Sequence, residues 1–416
     1  MIVLILILLA IVGLPLFIVL GAGGLYASIA AELDPVVLII ELYRLANQPN
    51  LITIPLFTFA GMVMAAGGSP KRLIKLFNAL LGWMPGGLAM AAIVSCSFFT
   101  AFTGASGVTI IALGGLLYPL LIQSNYPEKF SLGLLTSSGS LGLLFPPSLA
   151  ILLYGIVSGT NIDDLFLAGI VPGLILLVML SLYSYKSALV WHEPSHPFSF
   201  KILRAAINET KWDILLPLLV ITGIFGGFVT VTEAAAITAA YALFIETIIY
   251  KEIKLKNDLP KILIDTAVLV GSILIILGVA MGLTNLLIDT QLPSKLFDLI
   301  ETHIDSQLQF LLLLNLFLLV IGAMMDIFSA IVVVVPLIMP LALRYQIDPV
   351  HLGILFLANL EIGYMTPPVG INLFIASQRF GKDILTLFQS ALPFLAIMLI
   401  WLLMISYIPA LTLWWK

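Results

Sequence analysis

The chain has 416 residues, 61% of them hydrophobic and 10% charged, with a formal net charge of −4 at pH 7. An ordinary soluble domain carries roughly 25% charged residues, so this composition excludes a water-soluble fold, and no basic cluster suggests nucleic acid. The single cysteine, Cys96, excludes an internal disulfide and a cysteine-based metal or iron–sulfur site, and reads as a small buried residue.

Apolar runs of about 20 residues, enough to cross a ~30 Å hydrocarbon layer, recur along the chain and predict an all-α polytopic membrane protein. The stretch Met1 to Leu20 is apolar from its second residue and lacks a basic region, so it reads as a retained first helix. Residues 2–30 and 51–68 are each one predicted span. Ser69 to Lys75 is a short basic amphipathic piece expected at the interface. Residues 86–121 are too long for one span, and the small residues Thr103 to Gly107 at their centre predict a re-entrant hairpin. A span over 130–157 is broken at Gly142 to Pro147, because tandem prolines remove two backbone donors.

A span over 165–185 follows, then the longest polar stretch, Lys186 to Asp213, which joins the two halves. Spans are expected near 214–228 and 232–250, a basic loop at 251–256, and a span at 262–284. Beyond a polar segment from Asp289 to Gln307 lies a second predicted hairpin, 308–342, with Asp326 at its tip. A second broken helix, 351–378, carries Gly363-Tyr364-Met365-Thr366-Pro367-Pro368, and a last span covers 385–411.

Adding 221 to a residue number in the first half reproduces its landmarks in the second. Pro119 meets Pro340, Gly142 meets Gly363, Pro146 and Pro147 meet Pro367 and Pro368, and Pro172 meets Pro393. The stretch Phe98 to Tyr154 and its echo Phe317 to Ile375 therefore read as one structural unit used twice. The layout divides into a first repeat, 1–185, a connecting loop and extra helix, 186–231, and a second repeat, 232–416.

With a cytoplasmic N-terminus, the cytoplasmic loops hold all but Arg44, Lys295, Arg344 and Lys416 of the 18 basic residues, as the positive-inside rule requires. This layout has nine full spans, five of them between matching points, so the repeats are expected to be inverted. Non-helical chain at membrane depth survives only when it is shielded or faces a watery cavity. Two broken helices and two hairpin tips in an inverted repeat therefore point to a central binding site. Unwound carbonyls there suit Na⁺, and half-helix N-termini suit an anion.

Oxygen ligands for sodium are available at Thr100, Thr103, Ser106, Gly142, Phe145 and Thr366. A hydroxyl in a membrane helix also commonly bonds back to a carbonyl one turn earlier. An unpaired carboxylate in hydrocarbon is costly, so Asp326 implies a cation or a donor on the substrate. Glu233 and Glu361 suit structural roles equally well. His192, His196, His303 and His351 sit in predicted loops without ligand spacing, which argues against a metal site or proton relay.

These stretches resemble the large membrane subunit, DctM-like, of tripartite ATP-independent periplasmic (TRAP) transporters. The residues that carry the resemblance are Gly104 to Gly107, Pro146-Pro147-Ser148 with Tyr154-Gly155, Gly227-Phe228 with Thr230 and Thr232-Glu233, and Gly363 to Phe374 including Asn372. The resemblance implies an elevator-type, sodium-coupled importer of an organic acid such as a C4-dicarboxylate or sugar acid, in the bacterial inner membrane. It also implies a small four-helix membrane subunit, a periplasmic substrate-binding protein as partner, and no cofactor beyond Na⁺ as coupling ion.

Carried over by position, one sodium site falls on Thr100, Thr103, Gly142, Phe145 and Pro147, and the other on Gly322, Gly363, Thr366 and Val369. Asp326 is similar to the family acid near both substrate and a further cation. Substrate contact falls to Ser106, Ser148, Asp326 and Asn372. The segment Val229 to Thr232 lacks a proline often found before the Thr-Glu pair, and Ala105 and Ala150 stand near where sialate-type members place serines. That departure counts against a sialic acid. A stand-alone sodium-coupled permease and an ion channel are the competing readings. An enzyme would need a nucleophile with a base, or a metal cluster, and the sequence offers neither.

Overall fold

Lipid offers no partner for a free N–H or carbonyl, so the apolar runs fold as helices, which satisfy their own backbone. The computed structural model describes residues 14–30, 34–191, 197–289, 304 and 306–416, and those residues contain helices and no strands. Among the described residues, eight helices are long and apolar enough to cross a membrane, or nine if one bent pair counts as a span. The first part of the 2–30 span, most of the 289–307 segment, and His192, His196 and His303 lie outside the described residues.

In chain order the helices are α1 (Leu16–Ala30), α2 (Val36–Ala46), α3 (Thr53–Ala66) and α4 (Ser69–Leu81). Then come α5 (Gly87–Thr103), α6 (Ser106–Gln123), α7 (Glu128–Ser138), α8 (Leu149–Ser158) and α9 (Ile162–Trp191). They are followed by α10 (Phe200–Phe225), α11 (Val231–Ile249), α12 (Leu259–Asp289) and α13 (Gln307–Met324). The chain ends with α14 (Ile327–Arg344), α15 (Pro349–Gly363), α16 (Ile371–Phe380) and α17 (Ile384–Tyr407).

The expected breaks are present. Gly104, with φ +64°, ends α5, and the extended Ala105 starts the turn into α6. A side chain at Gly104 would be strained there, which explains glycine at this point. The segment between α7 and α8 is a short 3₁₀ turn followed by extended Phe145, and the axis bends by 46°. The Pro146–Pro147 and Pro367–Pro368 bonds are both cis, so the two copies share this geometry.

The correspondence between the two proline pairs extends to packing. A Cβ on Gly142 would lie 2.1 Å from the Ser97 carbonyl, and one on Gly363 would lie 2.4 Å from the Gly322 carbonyl carbon. Each interrupted helix thus presses its glycine against the backbone of the helix that leads into the neighbouring turn.

Three parts of the sequence reading change. Lys186 to Asp213 is mostly helix, because α9 runs on to Trp191 and α10 begins at Phe200. Among the described residues, its charges therefore lie on helix ends instead of a loop. Arg72, expected at the lipid interface, is 3% exposed. It pairs with Asp213 at 2.7 Å, with Glu252 at 2.8 Å and with Glu246, and its guanidinium lies 3.6 Å from the centre of the Tyr250 ring. Burial alone opposes the charge, but hydrogen bonding and attraction to Asp213, then to Glu246 and Glu252, hold the guanidinium charged. Finally, His351 is buried within α15 with Nδ1 2.6 Å from the Thr412 hydroxyl, so it is no loop residue.

The two acids weighed alongside Asp326 separate clearly. Glu233 completes a capping box with Thr230 at the start of α11, a structural role. Glu361 is fully buried in α15, and neither carboxyl oxygen has a hydrogen-bond partner among the described residues. Cys96 is buried and free. Polar bonds between α13, α15 and α17 supply adhesion of the kind membrane helices use. Asn359 donates to the Asn315 side chain at 2.8 Å, and Asn315 donates to Ser406 at 2.9 Å.

Candidate functional site

Four interruptions of helix meet around one cavity of about 480 Å³. The α5–α6 turn contributes Gly104 to Val108, the α13–α14 turn contributes Asp326 to Ser329, and the two interrupted helices contribute Leu143, Tyr364 and Ile371. The opposite wall is α12, through Leu269, Ser272, Ile273 and Ile276.

Asp326 is the acid of the cavity wall. It caps α14, and Oδ1 accepts from the Phe328 and Ser329 N–H groups, each at 3.0 Å. Both capping bonds use one oxygen, which leaves Oδ2 for a cation or a donor on a solute. Tyr364 stands beside it, its hydroxyl accepting from the Ile327 N–H. The remaining wall is largely aliphatic, with hydroxyls from Ser106, Ser272 and Ser329.

Around the first break Thr100, Thr103, Gly142 and Pro147 are buried, and Phe145 is partly buried. The Thr100 hydroxyl is engaged with the Cys96 carbonyl at 2.8 Å, the Gly139 carbonyl at 2.9 Å and the Thr109 hydroxyl at 2.6 Å. The Thr103 hydroxyl is buried, with no hydrogen-bond partner among the described residues. The Gly142 carbonyl accepts from the Phe145 N–H at 3.0 Å, so Gly142 and Phe145 close one turn, followed by the cis Pro147. Thr100, Gly142 and Phe145 therefore sit in one hydrogen-bonded neighbourhood.

At the second break, the Gly363 carbonyl accepts from the Thr366 N–H at 2.9 Å, and the Thr366 hydroxyl donates to the Ile362 carbonyl at 3.1 Å. Val369 donates to the Ala323 carbonyl at 3.1 Å, next to Gly322, so Gly322, Gly363, Thr366 and Val369 also lie together. Among the four residues expected at the substrate, Ser106 and Asp326 line the cavity. Ser148 instead caps α8, its hydroxyl accepting from the Ile151 N–H at 3.4 Å. Asn372 is buried between the halves, donating to the Thr136 carbonyl at 3.3 Å, with its own Oδ1 unpartnered.

The sequence reading missed Tyr364, Ser272 and Ser329. Tyr364 lies inside a quoted motif, but its hydroxyl has a use only once the α13–α14 turn folds beside it. Ser329 stands three residues after Asp326, at the spacing of a capped first turn, and that spacing could have marked it. Ser272 carries no local signal.

A family model described as "Tripartite ATP-independent periplasmic transporter, DctM component" matches residues 3–411. The chain belongs to this family. It is similar to the C4-dicarboxylate TRAP transporter large permease protein DctM of Pseudomonas aeruginosa, 35% identical over 396 residues, covering 95% of this chain and 92% of that one. The ectoine TRAP transporter large permease protein TeaC of Halomonas elongata is 32% identical, over 86% of this chain and 84% of its own. The isethionate TRAP transporter permease protein DctMQ of Oleidesulfovibrio alaskensis is 34% identical over 96% of this chain and 63% of its own.

Among solved structures, the YdaH transporter of Alcanivorax borkumensis aligns with a TM-score of 0.64 at 14% identity. That match covers 90% of this chain and 87% of that one, a likeness of fold alone. As a DctM-family member, the chain is a TRAP transporter large permease subunit, and its relatives are transporters and not enzymes.

Proposed function

We propose that this permease imports a small organic acid by sodium symport, through an elevator motion, as part of a three-component system. The observation that carries this reading is the 480 Å³ cavity where both turns and both interrupted helices meet around Asp326. A solute in that cavity touches both repeats at once. Movement of one repeat-built body against the α12 wall would carry it across.

Sodium is assigned to two sites. One uses Thr100, Thr103, Gly142, Phe145 and Pro147, and it is supported by the Thr103 hydroxyl, which is buried without a partner. The other uses Gly322, Gly363, Thr366 and Val369, whose backbone groups cluster at the second break. Asp326 adds the charge that ties ion to solute. The α5–α6 and α13–α14 pairs act as re-entrant hairpins from opposite faces, with the N-terminus cytoplasmic and the bilayer the inner membrane of a bacterium.

The partners in this reading are a small membrane subunit and a periplasmic protein that delivers the solute. Relatives are named for C4-dicarboxylates, ectoine and isethionate, so the family does not select one compound. The test is uptake into proteoliposomes with all three components, with and without an inward sodium gradient. Uptake that ignores the gradient would remove sodium coupling, and uptake by this chain alone would remove the three-component requirement.

A further inference from the structure

We propose that the first half of α10 docks the headgroups of anionic phospholipids at the membrane surface. Lys201, Arg204, Asn208 and Lys211 recur at helical spacing and share one face. They line a surface groove of about 700 Å³ together with Phe200, Ala205 and Ile207. That lining holds three cations and no carboxylate.

Lys211 donates to the Asn208 side chain at 3.3 Å, and no carboxylate among the described residues pairs with Lys201, Arg204 or Lys211. The opposite face of α10 is fixed against α4. Thr210 donates to the Arg72 carbonyl at 3.2 Å, and Asp213 holds the Arg72 guanidinium. The basic face is thereby kept pointing outward.

The apolar neighbours decide between a membrane and a soluble polyanion. Phe198, Phe200, Ile202 and Ile207 are exposed, Phe200 by 69%, and the exposed row continues through Leu215, Leu218 and Leu219 on the same helix. From Ile214 to Phe225 the helix has no charged residue, so Lys211 stands within one turn of an uncharged apolar stretch. Trp83 packs edge-on against Phe198, with ring centres 6.2 Å apart, beside a second groove lined by Trp83, Phe198 and Ile202. Aromatic rings and basic side chains together at the start of an apolar stretch suit the headgroup layer. A soluble anion would leave that apolar row in water.

The experiment is native mass spectrometry and thermal unfolding of the full chain in detergent, with phosphatidylglycerol or phosphatidylcholine added. Phosphatidylglycerol should be retained and raise the melting temperature, and phosphatidylcholine should do neither. The combined variant Lys201→Gln, Arg204→Gln, Lys211→Gln should lose about tenfold or more in phosphatidylglycerol affinity. Lys254→Gln, which lies outside the groove, should keep it. If the triple variant does not fold, Arg204→Gln alone should show a smaller loss, with Arg204→Lys restoring most of it. Equal retention of phosphatidylcholine would overturn the assignment. So would the same thermal shift from inorganic phosphate or a short RNA, or a folded variant with undiminished retention.

Discussion

Ile327 donates its backbone N–H to the hydroxyl of Tyr364, a bond that ties the α13–α14 turn to the break after α15. Replacing Tyr364 with Phe keeps the ring and deletes the oxygen that accepts that buried proton. An unpaired buried N–H costs about 1–3 kcal/mol. Tyr364→Phe should therefore lower the melting temperature by several degrees and weaken uptake. A melt superimposable on wild type would show that the N–H finds another acceptor.

Asp326 both caps α14 and lines the cavity, and the two roles can be separated. Asparagine caps as well as aspartate, so Asp326→Asn should fold normally. It removes the charge, and sodium-driven uptake should fall to background. Asp326→Ala loses the cap too and should melt lower, by about 1 kcal/mol of helix stability. Wild-type uptake by the asparagine variant would take Asp326 out of the coupling.

Thr103 and Thr366 occupy the two proposed sodium sites with different degrees of commitment. The Thr103 hydroxyl has no partner, whereas Thr366 donates to the Ile362 carbonyl. Thr103→Val should raise the sodium concentration for half-maximal uptake more than Thr366→Val does, measured in the same vesicles. Unchanged sodium dependence in both would confine the ligands to backbone carbonyls.

Gly142→Ala and Gly363→Ala should each destabilise, because the added methyl meets backbone at 2.1 Å and 2.4 Å respectively. Backbone cannot rotate away as a side chain does, and overpacking of this kind costs typically ~1–3 kcal/mol or more. Gly271→Ala, with nothing within 4 Å of the new methyl, serves as the control and should melt like wild type. Equal melting temperatures for all three would mean the helices slide apart to accommodate the methyl.

The breaks were legible because proline and glycine act on their own backbone, and the 221-residue register repeated them at Gly142, Gly363 and the two proline pairs. Asp326 was legible because a carboxylate in hydrocarbon needs a reason. Ser272 was not, because it faces the cavity only through the placement of α12, a relation between distant segments. The motifs place Ser148 and Asn372 among the expected substrate contacts, but a motif does not encode where a side chain bonds: Ser148 caps α8, and Asn372 donates to the Thr136 carbonyl. Arg72 was misplaced because a basic residue on an amphipathic helix normally faces headgroups, and its partners Asp213, Glu246 and Glu252 are 141 to 180 residues away.

That Arg72 cluster gives the most direct stability test. Arg72 is 3% exposed, and its partners Asp213 and Glu246 have no exposure at all. Removing the cation leaves the buried Asp213 and Glu246 and the half-exposed Glu252 without their shared positive partner, a loss of about 3–5 kcal/mol for a buried pair. Arg72→Met keeps an unbranched apolar stem but removes the guanidinium, and with it the charge, its hydrogen bonds and its contact with the Tyr250 ring. It should lower the melting temperature sharply. Adding Asp213→Asn should restore part of the loss, because one unpaired charge is removed with it. The same second change in the wild-type background should destabilise, since Asp213 then no longer balances Arg72. Additive effects of the two substitutions would mean that Arg72 and Asp213 act independently despite their 2.7 Å contact.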